Sequence, residues 1–395
     1  MLAFSITEFK KRLENTKHRM QVKGIDVLLI TDPANMNYLT GYDAWSFYVH
    51  QLLIVNLEEE QPYWIGRGLD ANAARHTTWL DDMHILPYPD YYVQSDVRHP
   101  MDFVSGFLRQ QQLHKLTIAV EMDAYYFTAQ SYISLMKGLP DATFKDGTNL
   151  VNWIRIVKSE QEIDYIKKAA AISEKAMGVA YEQLNEGVRE CDVVAAISHA
   201  QISGTEDYGG DYPSIVPLLP TGEKTSACHL SWTDETFQDG QPVIIELSGC
   251  YRRYHSPLAR TVVIGKANEE IQRLSEIVIE GVNAALDTVK PGVSCEEIEL
   301  AWRDSIDRNG IRKESRIGYS TGLNYPPDWG EHTASLRPGD KTILEPNMVF
   351  HMIPTIDLGH VGMEISESFR VTETGVDVLA DYPRELYVKP NIRLA

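Results

Sequence analysis

A few carboxylates, one histidine and two aromatic clusters are the residues whose placement could do chemistry. Glu246 stands in an apolar run, with Val243, Ile244 and Ile245 before it and Leu247 after it. A carboxylate buried there is costly unless a cation pairs with it. Glu364 and Glu367 share one short segment near the C-terminal end. On a regular strand, 364 and 366 face one way and 365 and 367 the other. The pattern favours Glu364 as the inward carboxylate, with Glu367 solvated unless a bulge turns both inward. His229 is a candidate acid–base group, the usual work of an imidazole. Cys228 beside it raises a thiol pairing, but neighbours on an extended segment point to opposite sides. Arg260 suits a carboxylate of substrate or, equally well, a structural ion pair.

Two aromatic segments frame these groups. GYDAWSFYVHQ (41–51) carries Trp45, Phe47 and Tyr48, and NYPPDWGE (324–331) carries Tyr325, Asp328 and Trp329. The double proline stiffens the second. Aromatic faces can wall a planar cation. Either segment alone reads as core packing; beside unpaired carboxylates, both read as substrate walls.

These residues need elements to position them. Residues 5–23 read as an amphipathic helix anchored by Phe9, Leu13, Met20 and Val22 and stopped at Gly24. IDVLLIT (25–31) reads as a buried strand ended by an Asp32-Pro33 turn, and 51–56 and 63–66 as a hairpin. Helices at 69–77, 100–111 and 126–137 and a strand at 117–122 complete an α/β pattern. Ser159-Glu160-Gln161-Glu162 is a capping box that opens a helix to about 185. A helix at 190–203 follows, then strands near 213–218 and 242–264. Helices at 268–289 and 295–309 then lead to strands near 348–356 and 363–371. GGDYPSIVPLLPTG (209–222) lacks phosphate-loop spacing and any helix signal after its last glycine, so it reads as a rigid loop and strand. Gly187-Val188 with Asp192-Val193 recurs as Gly292-Val293 with Glu297-Ile298. That marks a duplicated α+β unit with a cleft on its pseudo-twofold axis.

The bulk numbers set limits. A chain of 395 residues implies two domains, here 1–157 and 158–395. Its net charge of −19 disfavours nucleic acid and anionic membranes as partners. No apolar run is long enough to span a bilayer, and Met1-Leu2-Ala3-Phe4 does not open a signal peptide. Four cysteines without a CxxC pair suggest reduced thiols and a cytoplasmic location.

Several stretches resemble the creatinase/aminopeptidase P/methionine aminopeptidase family. They are the segment around His229, VIIELSGCYRRYHSPLARTVVIG (243–265), GYSTGL (318–323), LEPNMVFHMIP (344–354) and GMEISESFRVTETG (362–375). The resemblance implies a pita-bread catalytic domain behind a creatinase-type α/β domain. In the peptidases of this family Asp, Asp, His, Glu and Glu hold two metal ions. Those positions fall here on Glu246, Pro257, Tyr319, Ile353 and Ser366. Pro and Ile cannot ligate a metal, and Tyr and Ser do so poorly while protonated. The expectation is therefore no metal and no cofactor.

The resemblance also places His229 at the family's catalytic histidine. It implies a homodimer in which Trp45, Phe47 and Tyr48 cover the partner's site. Creatinase, a metal-free member, acts on a guanidinium group. A cyclic amidine is likewise cationic and electrophilic without metal help, and carboxylates can hold its N–H groups in bidentate fashion. The expected function is hydrolytic opening of such a ring. Glu246 would be nucleophile or general base and His229 the proton shuttle. Glu364 and Asp328 would hold the cation, walled by Trp329, Tyr325 and the residues at 45–48. A creatinase-like or Xaa-Pro-peptidase-like enzyme and a non-catalytic amidine-binding protein are the alternatives.

Overall fold

The computed structural model describes residues 2–390. The chain divides into two compact units, Met1–Arg155 and Ile156–Ala395.

The first unit contains α1 (Ile6–Val22), β1 (Val27–Ile30), α2 (Pro33–Thr40), β2 (Leu52–Asn56), β3 (Tyr63–Arg67) and α3 (Ala71–Thr77). It continues with β4 (Ile85–Tyr88), α4 (Pro100–Gln110), β5 (Thr117–Val120), α5 (Ala129–Gly138), β6 (Thr143–Asp146) and α6 (Asn152–Arg155). Its six strands form one sheet in the order β4-β3-β2-β1-β5-β6. β1 is apolar throughout because it is central: it pairs antiparallel with β2 and parallel with β5. Two expectations change here. Val22 is exposed, whereas Phe9, Leu13 and Met20 are buried. Asp32-Pro33 begins α2 rather than a turn: the Asp32 carboxylate caps the Ala34 amide, Pro33 occupies the first turn, and Gly41 closes the helix at φ +85°.

The second unit contains α7 (Glu160–Gln183), α8 (Glu190–Ser203), β7 (Pro242–Tyr251), β8 (Tyr254–Ile264), α9 (Glu269–Thr288) and α10 (Cys295–Asp307). The strands β9 (Gly318–Thr321), β10 (Gly330–Leu336), β11 (Val349–Met352), β12 (Ile356–Asp357), β13 (Gly362–Met363), β14 (Glu367–Val371), β15 (Val376–Val378) and β16 (Tyr387–Lys389) follow. They form three sheets, β10-β9-β11-β14-β15, β16-β8-β7 and β12-β13. Each helix pair precedes antiparallel strands, and Gly187 and Gly292 both take positive φ at matching junctions. α7 opens with the capping box: Ser159 and Glu162 satisfy each other's amides. Glu162 also accepts from the Tyr254 hydroxyl at 2.8 Å, which ties the helix start to β8. α7 then lies so close on β7 that a side chain at Gly249 would run into the Ala169 carbonyl. The core joins α7 and α8 to β7 and β8 through residues such as Met177, Val193, Ile197, Ile245 and Leu258.

Residues 213–218 form no strand; one bridge joins Leu218 to Glu246. Gly222 opens a short 3-10 helix, Gly222–Ser226, where no helix was expected. The final strand segment is broken: β13 ends at Met363 and β14 starts at Glu367. The alternation rule therefore does not apply to residues 364–366.

Candidate active site

Glu246 lies in the middle of β7, where ten residues pair with β8 in unbroken register. It is 5 % exposed, and no hydrogen-bond donor from the described residues reaches its carboxyl group. Burial pushes its pKa well up, and the nearby carboxyls of Glu364 and Asp328 push it further.

Glu364 is 1 % exposed and sits in the break between β13 and β14. The Glu364 amide donates to Thr261 Oγ1 at 2.9 Å, and the Thr261 hydroxyl donates back to the Glu364 carbonyl. This clamp holds the break against β8. The Thr355 hydroxyl donates to Glu364 Oε1 at 2.7 Å, while Oε2 is buried with no hydrogen-bond partner among the described residues. Burial raises the Glu364 pKa, and the Thr355 hydrogen bond and the Lys313 charge work against that rise. Glu246 has neither aid. Between two coupled carboxyls, Glu246 therefore keeps its proton longer.

Glu367 is also buried, yet it serves a different purpose. It accepts from Arg260 and Arg384, both at 2.9 Å. Arg260 is fully buried and donates further to the carbonyls of Pro383, Ser366 and Tyr382. Of its two expected roles, the structure gives Arg260 the structural one. Neither Glu364 nor Glu367 is solvated.

Asp328 is partly buried beside this pair. Burial pushes its pKa up, but donation from His332 at 2.8 Å and from the Gly330 amide at 2.9 Å wins and holds it down. It stays ionised near neutrality. Trp329 is fully buried and donates from Nε1 to the Tyr319 hydroxyl at 2.9 Å. Tyr325 is buried too, against the Arg253 guanidinium, which lies 4.5 Å from its ring and 3.9 Å from the ring of Tyr212. That stack gives Tyr325 a packing role in the same loop.

The Cys228-His229 pair sits on a turn, not an extended segment; the Leu230 amide closes it on the Ala227 carbonyl. Burial raises the Cys228 thiol to about 11, with Glu364 and Glu246 adding to the rise. The thiol therefore shares the carboxyl site but is not a thiolate. His229 is exposed, and no hydrogen bond or ion pair joins it to Glu246. Trp45 and Tyr48, 58 % and 63 % exposed, lie in the first unit; Trp45 packs on Phe47 with rings 4.8 Å apart.

Three site residues escaped the sequence reading. Lys313 has its pKa lowered by burial against the charges of Glu364 and Cys228, and it donates to the Thr355 carbonyl at 2.7 Å. Thr355 is the second. His351 is the third: it lies between the Tyr319 hydroxyl, 3.1 Å away, and Ser366 Oγ, 2.8 Å away. A signal for it existed. On β11 and its extension, 351 and 353 share a face, and 353 was already placed at the site.

The five positions where the resemblance puts metal ligands do not fit two metal ions. Pro257 and Ile353 offer no side-chain donor atom. The oxygens of Tyr319 and Ser366 are taken up by Trp329, His351 and the Ala259 amide. Among the described residues, no group of three or more His, Cys, Asp or Glu side chains is arranged to hold a metal. No helix among them is long and apolar enough to cross a membrane.

Comparison with known proteins agrees with this architecture. Residues 12–157 match the Creatinase/Prolidase N-terminal domain, and residues 164–373 match Metallopeptidase family M24. The chain is 44 % identical to ectoine hydrolase of Halomonas elongata, over 98 % of this chain and 99 % of that protein. It is 48 % identical to an uncharacterized hydrolase/peptidase of Sinorhizobium fredii, over 98 % of this chain and 99 % of that one. Recombinant prolidase from Thermococcus sibiricus has the same fold, with a TM-score of 0.85 at 22 % identity over 98 % of this chain and all of that one. The α/β unit is thus a creatinase-type N-terminal domain and the second unit a pita-bread domain, and the chain belongs to metallopeptidase family M24.

Proposed function

We propose that this chain is a metal-independent hydrolase that opens the cyclic amidine ring of ectoine to N-acetyl-2,4-diaminobutyrate. One observation carries the reading: Glu246 and Glu364 are buried together where the family keeps its metal ions, and among the described residues no donor reaches the Glu246 carboxyl. An amidinium supplies the missing charge. Its arrival favours the ionised pair, and Asp328 is already ionised beside it. The bound cation thus turns Glu246 from a protonated carboxyl into the base or nucleophile that the reaction needs. Glu364, fixed by Thr355, holds the N–H groups of the ring. Trp329 offers the flat wall. The identity to ectoine hydrolase along almost the whole chain supports the choice of amidine.

The proposal includes a homodimer in which Trp45, Phe47 and Tyr48 close the partner's site. The exposure of Trp45 and Tyr48 supports it. The location is cytoplasmic, where cysteine thiols stay reduced. His229, exposed on its turn, is the proton shuttle only if substrate or the partner chain draws it inward.

The test is NMR of ectoine incubated with chelator-treated protein. The expected result is loss of the ring signals and growth of one new acetyl resonance. Activity restored only by added metal, or peptide cleavage without ectoine turnover, would point to a peptidase and sink the reading. Binding without product would leave an amidine-binding protein instead.

A further inference from the structure

Four side chains and one amide form a single hydrogen-bonded row at the vacated ligand positions. The Ala259 amide donates to Ser366 Oγ at 2.7 Å. Ser366 Oγ lies 2.8 Å from His351 Nε2, and His351 Nδ1 lies 3.1 Å from the Tyr319 hydroxyl. Trp329 Nε1 donates to that same hydroxyl at 2.9 Å.

The hydrogens of this row can be placed from the charge state of the histidine and hydrogen-bond satisfaction. His351 is fully buried and its ring is neutral, burial holding its pKa at about 3, so it carries one N–H. Ser366 is also fully buried, and its oxygen already accepts from Ala259. Among the described residues, the one acceptor within reach of its hydroxyl hydrogen is His351 Nε2. A proton on Nε2 would leave the Ser366 hydroxyl buried without an acceptor, the arrangement that proteins avoid. Nε2 is therefore bare, and Nδ1 carries the hydrogen and donates it to the Tyr319 oxygen. That oxygen also accepts from Trp329, so both its acceptor positions are filled. Among the described residues, the Tyr319 hydrogen is left with no acceptor. The charged groups that act on this phenol most strongly are Glu246 and, after it, Asp328. Burial and these two carboxyls push the Tyr319 pKa well up, so the phenol keeps this hydrogen in the free protein.

We infer that Tyr319 is the proton donor to the departing ring nitrogen, aimed at it by Ser366 and His351. This rests on the amidine-hydrolase reading above. As the ring C–N bond breaks, its electron pair goes to nitrogen, which takes the proton from the Tyr319 hydroxyl. The proton released when water adds to the amidine carbon restores the phenol. Two N–H groups on the oxygen stabilise the transient phenolate. Tyr319 touches substrate in this scheme; Ser366 and His351 are positioning residues, and His229 is not required.

The first test is the tautomer of His351, read by ¹⁵N NMR of the full-length protein with labelled histidine, using His351→Gln for assignment. The Nδ1–H form is expected across neutral pH, and the Nε2–H form would overturn the inference. The second is kinetic. Tyr319→Phe should lower kcat on ectoine by about 100-fold or more with KM changed less than about threefold. On an acyclic amidine with an aniline leaving group, which needs less help from an acid, the loss should shrink. Ser366→Ala should also lower kcat, and the double variant should be no worse than Tyr319→Phe. Equal losses on both substrates, or a Tyr319→Phe enzyme within about threefold of wild type, would remove Tyr319 from the donor role. Failure of the wild-type protein to consume ectoine would instead overturn the function reading and the donor role with it, whatever the tautomer.

Discussion

Glu246 is held in the fold at a cost, because a carboxyl with a raised pKa favours the folded state only while protonated. That contribution is complete below the ordinary carboxylate range and is lost as pH rises through the raised value. The free protein should therefore melt lower at about pH 8 than at about pH 5 on this account. Glu246→Gln removes the titration. It should raise the melting temperature at the higher pH, leave the lower pH unchanged, and reduce turnover by roughly 10²–10⁴-fold. Thermal melts at both pH values with an NMR assay check this; a variant that melts like wild type at high pH would show that the buried charge is not the burden described. The unusual residue was legible in sequence, since a carboxylate amid Val243, Ile244, Ile245 and Leu247 announces itself. Lys313 and Thr355 were not. Lys313 reaches Glu364 from a separate segment that precedes β9, and Thr355 meets it across the short β12–β13 hairpin, neither of which the sequence pattern signals.

At the scale of elements, the break between β13 and β14 sorts two neighbouring carboxylates into different trades. Glu364 lies in the break and faces the site, while Glu367 starts β14 and balances Arg260 and Arg384. Glu367→Gln weakens the buried pair with Arg260 and should cost about 3–5 kcal/mol, the range for breaking such a pair. Denaturant unfolding measures it; a loss below about 1 kcal/mol would mean that the carbonyls around Arg260 suffice. Sequence periodicity read this stretch as one strand and so left Glu367 facing solvent. The error is physical: alternation holds only while the ladder is continuous, and the Thr261 clamp interrupts it at Glu364. Where local chemistry decides, the reading was sound. The Ser159–Glu162 box, α8, α9 and the β7–β8 hairpin lie close to where pattern and caps put them. The strands β4 and β6 went unseen because their short sequences, ILPY and TFKD, have no apolar alternation.

For the whole molecule, the proposed dimer makes a prediction that neither unit makes alone. If Trp45 serves the partner's site, Trp45→Ala and Glu246→Gln disable different halves of one shared site. Each variant is then inactive by itself. Unfolding and refolding them together should restore activity at roughly a quarter of the sites, because half the dimers are mixed and each mixed dimer holds one intact site. No recovery from the refolded mixture would place the aromatics outside the site or the chain outside a dimer. The assembly of the second unit has a constraint of its own. Glu162 completes the first turn of α7 and also receives the hydroxyl of Tyr254, 92 positions along the chain. The same carboxylate thus serves a local contact, formed on the roughly 0.1–1 μs scale of helix formation, and one that waits on a long loop closure. The start of α7 can form early, but its carboxylate is fully engaged only when β8 arrives, so hairpin docking completes a helix start that local chemistry has already begun.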